Sequence, residues 1–327
     1  MTISRRGLAA SGAALLAAPA ILRPARAQGT LEFVAGGLGG GWYTMATGCS
    51  QLVQEANPGI SLRVVPGGGL GNPTRIQNGV SQIGFGLDFL VSSAIKGETP
   101  YQAKHDKVTH FGVGYSPTEH NVMRAVGTGP SDLKGLLTNP ALRIGCPQRS
   151  SSDTLALEYV LAFYGTSLDK IRSTGRVVSG SYNDIAAAYG DGQVDVMYVA
   201  LAKPAAMIQE VGRGRRQTAL MGFPQDLRDH MTQKYGFSQG IIQAGTYQGM
   251  HDADVPVTTM DTVIMAANSV PDDTAYRFVR TLIAAKDRLG TIHPSMAAFT
   301  PAVGCKYPGA PLHPGAAKAF AEAGCTA

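Results

Sequence analysis

The sequence predicts an α/β fold of two lobes. Short apolar runs typical of strands alternate with helical patterns along nearly the whole chain. Runs such as 194–201 are apolar throughout, as expected of strands buried on both faces of a sheet. The chain has 327 residues and 44% hydrophobic composition, which is enough for two hydrophobic cores of ordinary size.

The elements follow one another in a β-α order. Strands are predicted at residues 31–35, 61–65, 82–85, 111–115, 122–126, 143–146, 173–178, 195–199, 216–221 and 262–266. Helical patterns are clearest at residues 152–164, 183–189, 203–211 and 272–289. Because strands joined through helices usually run parallel, mostly parallel sheets are expected.

The first 27 residues predict a cleaved secretory signal that leads to the periplasm. Arg5 and Arg6 precede an acid-free, alanine-rich run at 9–22, and Ala-Arg-Ala at 25–27 forms a small-x-small cleavage site. The paired arginines and the weakly apolar run favour the twin-arginine route; the alternative is an amphipathic helix of the folded domain. The segment holds four arginines and no acidic residue, so without it the formal charge falls from +5 to +1. The basic balance therefore gives no reason to expect a nucleic-acid partner.

The four cysteines predict one disulfide. Cys305 and Cys325 flank the C-terminal segment and are the expected bridge. Cys49 lies on an apolar helical stripe and is expected to be buried, and a bond from Cys49 to Cys146 would tie the two lobes together. The absence of any C-x-x-C motif argues against a zinc site and against a redox-active dithiol.

A glycine-rich segment at 36–43, which ends in Trp42 and Tyr43, joins the first predicted strand to a helical pattern that begins near Thr44. Free backbone N–H groups and the positive end of a helix dipole at one place favour an anion. The turn lacks the G-x-G-x-x-G dinucleotide pattern, since Trp42 is the sixth position counted from Gly37. The alternative is a tight turn that needs glycine only for its backbone angles.

A second turn of the same kind, Pro-Gln-Arg-Ser-Ser-Ser-Asp at 147–153, follows the predicted strand at 143–146 and opens a helix. One such turn lies early in the chain and one near its middle. The two helix N-termini are therefore expected to face each other across a cleft.

Five segments in a fixed order resemble a known family. They are the turn at 36–43, Gly-Asn-Pro-Thr-Arg onward at 71–88, Asp-Leu-Lys-Gly at 132–135, Asp-Gly-Gln-Val-Asp at 191–195 and Pro-Leu-His-Pro-Gly-Ala at 311–316. Together they resemble the TRAP-associated extracytoplasmic immunogenic (TAXI) solute-binding proteins over about residues 31–324.

The resemblance implies a class II periplasmic-binding-protein fold with a ligand cleft between its lobes. Lobe I is expected at 30–115 and 225–327 and lobe II at 116–224, with two connecting segments as the hinge. The ligand implied is a small carboxylate like glutamate, glutamine or 2-oxoglutarate, delivered to TRAP membrane permease subunits, with no cofactor.

The residues expected to contact the ligand are Gly40, Gly41, Trp42, Tyr43, Asn72, Asp88, Arg149, Ser150, Ser151, Ser152 and Lys203. Asn72 and Asp88 are either helix caps or ligand contacts, and Lys203 is either in the cleft or exposed at a helix start. Arg149 departs from the family, which often has a Gly-Ser-Gly-Thr-like turn here. A bidentate contact from Arg149 to a carboxylate is one interpretation and a solvated turn residue is the other.

Two other function classes compete with a receptor. An enzyme is not expected, because G-x-S-x-G, H-E-x-x-H and the phosphate-binding G-x-x-x-x-G-K-[ST] are all missing from the sequence. No metal site is expected either, since His105 and His110 are five residues apart, the wrong spacing for one helical face. A ligand-binding sensor subunit that feeds a membrane kinase would keep the fold, and no motif in the chain separates sensing from transport.

Overall fold

The computed structural model describes residues 29–38 and 40–326. The predicted signal at residues 1–27 lies outside this part of the chain. The strands described are β1 (Leu31–Val34), β2 (Leu62–Val65), β3 (Ile83–Leu87), β4 (Val108–Gly112), β5 (Pro117–Ala125), β6 (Ile144–Pro147), β7 (Val177–Gly180), β8 (Val196–Leu201), β9 (Thr218–Met221), β10 (Ser238–Ile242) and β11 (Val255–Ala267).

The helices described lie mostly between these strands. They are α1 (Gly41–Ala56), α2 (Asn72–Gln77), α3 (Asp88–Lys96), α4 (Leu133–Thr138), α5 (Ser152–Phe163), α6 (Leu168–Arg172), α7 (Tyr182–Gly190), α8 (Ala206–Arg213), α9 (Gln225–Tyr235), α10 (Asp272–Ala284), α11 (Lys286–Ile292), a 3₁₀ helix (Pro294–Ala298), α12 (Pro301–Gly304) and α13 (Pro314–Glu322). None of the helices in 29–38 and 40–326 is both long and apolar enough to cross a membrane.

Two sheets are joined by the long strand β11. In the first sheet, β1 runs parallel to β2 and β3, and the second half of β11 pairs antiparallel with β3 and β4. In the second sheet, β6 runs parallel to β7 and β8, and β5 pairs antiparallel with β8, with β9 and with the middle of β11. β10 pairs antiparallel with the first half of β11. Helices pack against each sheet, so the molecule consists of two α/β units.

The expectation of mostly parallel sheets is wrong at the centre of the molecule. Four strand pairs are parallel, as β-α-β connections require, but every pair that involves β5 or β11 is antiparallel. The chain enters the second sheet just before β5 and returns to the first sheet along β11. Their partners are distant in sequence, so no local pattern gives the direction.

The differences from the predicted elements have local causes. The strand predicted at 111–115 corresponds to β4, which ends at Gly112. Residues 113–115 follow it in the crossing between the sheets, where Val113 and Tyr115 are buried although they belong to no strand. The edge strand β10 was missed because its first four residues are largely exposed and include Gly240. Only the last part of β11 was predicted, since residues 255–261 contain a proline, an aspartate and two threonines. The helical pattern at 272–289 is divided at Ala285 into α10 and α11.

Residues 225–261 associate with the second sheet. β10 and the first half of β11 pair there, and Leu227, Met231 and Phe237 belong to the hydrophobic core of that lobe. The prediction placed this segment in lobe I. We propose instead that lobe II extends to Asp261 and that the chain returns to lobe I at Thr262.

The two crossings lie side by side. The backbone N–H of Tyr115 donates to the carbonyl of Thr262 at 3.3 Å, and the N–H of Thr262 donates to the carbonyl of Ser116 at 3.1 Å. Tyr115 is fully buried and stacks on Phe299 with ring centroids 4.4 Å apart. Tyr115 therefore anchors the crossing to the core of lobe I.

The cysteine predictions are confirmed. Cys305 and Cys325 form a disulfide. Cys49 and Cys146 are unpaired and buried, and burial raises the pKa of the Cys49 thiol to about 12. At that pKa the Cys49 thiol is protonated and unreactive at neutral pH.

Replacing both Cys305 and Cys325 with serine is expected to lower the free energy of unfolding by about 3 kcal/mol, because the crosslink closes a long loop in the unfolded chain. Urea denaturation with and without dithiothreitol measures this. The reductant should lower the midpoint of the parent protein and leave that of the double variant unchanged. Equal midpoints for the parent and the variant would contradict the prediction.

Candidate functional site

A cavity of about 480 Å³ lies between the two lobes, beside the crossings. Four helices begin at its walls, α1 and α2 from lobe I and α5 and α7 from lobe II. Each follows the carboxyl end of a parallel strand, β1, β2, β6 or β7. In α/β sheets this is the end where ligands bind, because helix N-termini and flexible loops converge there.

The N-terminus of α1 offers unpaired donors. Gly40 is its N-cap, with an extended backbone and no side chain to accept a hydrogen bond. The N–H groups of Gly41 and Trp42 have no acceptor among residues 29–38 and 40–326. The first turn of α1 also contains no acidic residue, so no side chain there offsets the positive end of the helix dipole.

The opposite wall is built from α5 and α7. Ser151 caps α5 by accepting a hydrogen bond from the N–H of Thr154 at 3.1 Å, and Ser181 caps α7 in a capping box with Asp184. These caps occupy the third N–H of each helix. The N–H groups of Ser152 and Tyr182, at the first position, find no acceptor in the described part of the chain.

The two walls touch at two places. A Cβ atom on Gly40 would lie 3.5 Å from the ring of Tyr182, and one on Gly69 would lie 3.0 Å from the hydroxyl of Ser152. Trp42 packs against the cores of both lobes, and its indole N–H donates to the hydroxyl of Thr262 at 3.1 Å. Small residues therefore allow the lobes to meet around the cavity.

Asn72 fixes the loop between β2 and α2. Its amide donates to the carbonyls of Ala35 at 2.7 Å and Phe85 at 2.8 Å, and its carbonyl accepts from the N–H of Gly68 at 2.9 Å. The side chain is fully buried and its donors are used. Asn72 thus lines the cavity, but its hydrogen bonds hold the ends of β1 and β3 to the glycine-rich loop.

Asp153 is a buried acid in the cavity wall. One of its carboxylate oxygens accepts from the N–H of Ala200 at 2.7 Å and from the hydroxyl of Tyr182 at 3.1 Å. Only 3% of the residue is exposed, and burial raises the pKa of its carboxyl to about 6. The hydrogen bonds it accepts stabilise the charged form and oppose that rise.

One cationic side chain lines the described cavity, and it is already paired. Arg75 makes an ion pair with Glu32 at 2.8 Å and donates to the hydroxyl of Ser81. The unpaired donors of the described lining are therefore uncharged: the backbone N–H groups at the helix starts and the side chains of Thr118, Gln148 and Ser150. Such a wall favours a small anion without placing a full positive charge opposite it.

The structure brings seven of the eleven expected residues to the cavity. These are Gly40, Gly41, Trp42, Asn72, Ser150, Ser151 and Ser152. The other four lie elsewhere. Tyr43 turns away on α1 and packs against the core of lobe I.

Asp88 is the first residue of α3 and lines a second cavity of about 390 Å³. Burial and the nearby Asp261 raise the pKa of its carboxyl to about 7.

Arg149 and Lys203 are engaged in ion pairs outside the cavity. Arg149 pairs with Asp169, and both side chains are mostly exposed. The ammonium of Lys203 lies 3.2 Å from the carboxylate of Glu119, which is 1% exposed. Burial raises the pKa of Glu119, and Lys203 opposes that rise. Lys203 thus neutralises a buried acid beneath the cleft.

Several residues of the cavity wall were not anticipated from the sequence. Asp153 and Tyr182 were overlooked, although Asp153 closes the polar turn that was singled out. Their hydrogen bond joins α5 to α7, which are 29 residues apart. Leu38 and Met260 also line the cavity. Leu38 and Asp153 both lie in turns that the sequence identifies, whereas no local pattern points to Tyr182 or Met260.

In the described ranges, no group of three or more His, Cys, Asp and Glu side chains is placed to hold a metal ion. Among the described residues that line the cavity, Asp153 is the one carboxylic acid, and none is a histidine.

The NMT1-like family matches residues 33–324 of the chain. Among solved structures, MatC from Rhodopseudomonas palustris with bound malate is 14% identical, with a TM-score of 0.54 over 83% of this chain and 90% of that one. The alkanesulfonate-binding protein SsuA from Xanthomonas axonopodis pv. citri bound to MOPS is 15% identical, with a TM-score of 0.47 over 90% of each chain. The periplasmic molybdate-binding protein of Azotobacter vinelandii is 15% identical, with a TM-score of 0.45 over 83% and 99%.

The predicted fold class is confirmed. The chain has the two-lobed α/β fold of class II periplasmic binding proteins, with the cleft between its lobes.

Replacing Asn72 with alanine is expected to lower the free energy of unfolding by about 2–4 kcal/mol, because buried carbonyls and an N–H lose their partners. Chemical denaturation measures this. Asn78→Ala, an exposed asparagine at the end of the same helix, is the control and should change stability by less than about 0.5 kcal/mol. Equal effects of the two substitutions would show that the Asn72 hydrogen bonds are dispensable.

Replacing Asp153 with asparagine is expected to stabilise the protein more at pH 7.5 than at pH 4. The folded pKa of Asp153, about 6, exceeds the ordinary value of 3.8, so the parent protein loses stability as pH rises through that window. Asparagine keeps an oxygen for Ala200 and Tyr182 but does not ionise. We expect the stability difference between variant and parent to change by roughly 2 kcal/mol from about pH 4 to pH 7.5.

Thermal denaturation across this pH range gives the measurement. Asp191→Asn is the control, since Asp191 is exposed at the end of α7. A difference between the Asp153 variant and the parent that stays constant with pH would contradict a raised pKa for Asp153.

Proposed function

This chain belongs to the NMT1-like family, and we propose that it is a periplasmic solute-binding protein that captures a small carboxylate between its lobes. It releases the ligand unchanged to a membrane permease of the TRAP type, within the TAXI group that its sequence segments resemble. Glutamate, glutamine and 2-oxoglutarate are the first ligands to test. The signal segment at residues 1–27 supports export to the periplasm.

The observation that carries the proposal is the convergence of helix N-termini from both lobes on one cavity. The N–H groups of Gly41 and Trp42 face the cavity from lobe I, and those of Ser152 and Tyr182 face it from lobe II. Gly41 and Trp42 lie at the positive end of the α1 dipole, while Ser152 and Tyr182 lie at the positive ends of α5 and α7. A carboxylate between them would accept hydrogen bonds from both lobes at once.

Contacts from both walls couple binding to closure. A ligand held by α1 and α5 together stabilises the closed arrangement over any open one, by the difference between its affinities for the two. The touching pairs Gly40–Tyr182 and Gly69–Ser152 mark where the walls meet. The paired crossings at Tyr115 and Thr262 provide the axis about which they would separate.

Binding is measurable through Trp42, the one tryptophan of the sequence, which lies in the cavity wall. Purified mature protein is titrated with glutamate, glutamine, 2-oxoglutarate and malate, following both tryptophan fluorescence and heat. Product formation is assayed in parallel. We expect saturable binding of carboxylates and no turnover. Turnover would overturn the receptor proposal, and binding only of cations or neutral sugars would overturn the carboxylate proposal.

The Gly40→Asp variant tests the helix N-termini directly. An aspartate at the N-cap of α1 would itself occupy the N–H groups of the first turn and repel a second carboxylate. Affinity for the ligand should fall by about tenfold or more, while thermal stability should not fall. Gly40→Ala adds the same Cβ atom without the carboxylate and is the matched control. Equal affinities of the two variants would remove α1 from the site.

The TRAP partner needs a separate test. Genes for TRAP membrane subunits beside this gene, and ligand uptake that requires both, would support transport. A neighbouring sensor-kinase gene together with ligand-dependent kinase activity would instead favour sensing.

A further inference from the structure

We propose that, among carboxylates, the cavity prefers a ligand with one carboxylate on an apolar body, such as a benzene ring or an alkyl chain, over a dicarboxylate or a hydrophilic amino acid. The inference rests on the proposed function, because it assumes that the cavity between the lobes binds a carboxylate. It comes from what the rest of the cavity wall offers to the remainder of the ligand.

The cavity has room for more than a carboxylate group. Its volume of about 480 Å³ lies within the range of roughly 300–1,000 Å³ that small-molecule sites commonly have. A single carboxylate at the helix N-termini fills only part of that volume, so space remains for the rest of the ligand.

That remaining space is enclosed by apolar side chains. Trp42 and Leu38 face it from lobe I together with Leu87, at the end of β3. Leu201 and Met260 face it from lobe II. An apolar group needs no hydrogen bond from such a wall. Its transfer from water into the pocket contributes roughly 25 cal/mol of binding free energy for each Å² of apolar surface buried.

Most polar side chains of the wall are occupied within the protein. The indole N–H of Trp42 donates to Thr262. The hydroxyl of Ser151 accepts from Thr154, and that of Tyr182 donates to Asp153. Asn72 and Ser181 make the backbone and capping contacts described above. Thr118, Gln148 and Ser150 are the uncharged polar side chains of the described lining that remain without a partner. A ligand with several hydroxyl or amino groups could reach only these, and each of its groups left unpaired would cost free energy on burial.

The charges of the wall oppose a second carboxylate. Arg75, the cation in the described lining, is paired with Glu32. No cation is paired with Asp153 in the described structure, and its carboxylate belongs to the same wall. A dicarboxylate would bring its second negative charge into this enclosure without a free counter-charge. One carboxylate at the helix N-termini is the charge that the cavity accommodates.

Leu38 marks where the apolar body would meet the cavity mouth. It belongs to the glycine-rich turn, lines the cavity and is 67% exposed. Among the exposed large hydrophobic side chains of the described residues, Leu38 has the largest exposed fraction. The Leu38 side chain would be removed from water only when an apolar part of the ligand covers it.

The experiment compares ligand classes on the same protein. Phenylacetate, benzoate and hexanoate are titrated against succinate, glutarate and glutamate, with phenylacetamide as the uncharged analogue. We expect the monocarboxylates with apolar bodies to bind at least about tenfold more tightly than the dicarboxylates and glutamate. Phenylacetamide should bind at least about tenfold more weakly than phenylacetate.

The Leu38→Ala variant tests the apolar contact without disturbing the core. Its affinity for phenylacetate should fall about fivefold, and its thermal stability should stay as in the parent. Val80→Ala is the matched control, because Val80 is 54% exposed and lies outside the cavity; it should leave affinity unchanged. Equal affinities of the Leu38 variant and the parent for both phenylacetate and hexanoate would overturn the assignment of Leu38.

The failures of this inference and of the proposed function are distinguishable. Tighter binding of glutamate or of a dicarboxylate would overturn the apolar-body inference while the carboxylate receptor stands. Equal binding of phenylacetamide and phenylacetate would overturn the carboxylate function itself. No binding by any member of the panel would overturn both.

Discussion

The arrangement of this molecule depends on one strand that belongs to two sheets. β11 pairs with β10 and β5 in its first half and with β3 and β4 in its second. Its backbone hydrogen bonds are therefore divided between the lobes at Asp261 and Thr262. The second crossing runs alongside it, held by hydrogen bonds between Thr262 and residues Tyr115 and Ser116. Neither sheet can shift along β11 without losing a ladder of bonds, so rotation about the crossings is the motion that the proposed closure would use.

The position of the cavity follows from that constraint. With the sheets joined at β11, the carboxyl ends of β1 and β2 face those of β6 and β7, and the helices that follow them begin at one place. Helix N-termini leave backbone donors without partners, and glycines at Gly40 and Gly69 let the two walls approach each other. Asn72 holds the loops of lobe I at fixed distances from the strands. The anion-binding character is thus produced by backbone geometry more than by charged side chains.

Local features of the sequence predicted much of this, and non-local ones did not. The turn around Gly41, the capping serines and the burial of Cys49 each depend on neighbours within a few residues, so pattern was sufficient. The expected contacts from Arg149 and Lys203 rested on position in the chain alone. Their partners, Asp169 and Glu119, are 20 and 84 residues away, and only the folded sheet shows that these cations are already neutralised. The full length of β11 was hidden for the same reason.

A cleft lined by backbone donors has to obtain its selectivity from other groups. N–H groups at helix N-termini can donate hydrogen bonds to any small anion. They therefore select for the charge of the ligand and discriminate little between ligand shapes. Discrimination then depends on what the rest of the wall disfavours. Asp153 disfavours a second negative charge, and occupied polar groups such as Asn72 disfavour added hydroxyls. Since Asp153 titrates near pH 6, its repulsion is present at neutral pH and fades as the solution becomes more acidic. Selectivity against dicarboxylates should therefore weaken below that pH, while selectivity for an apolar body, which no titrating group controls, should persist.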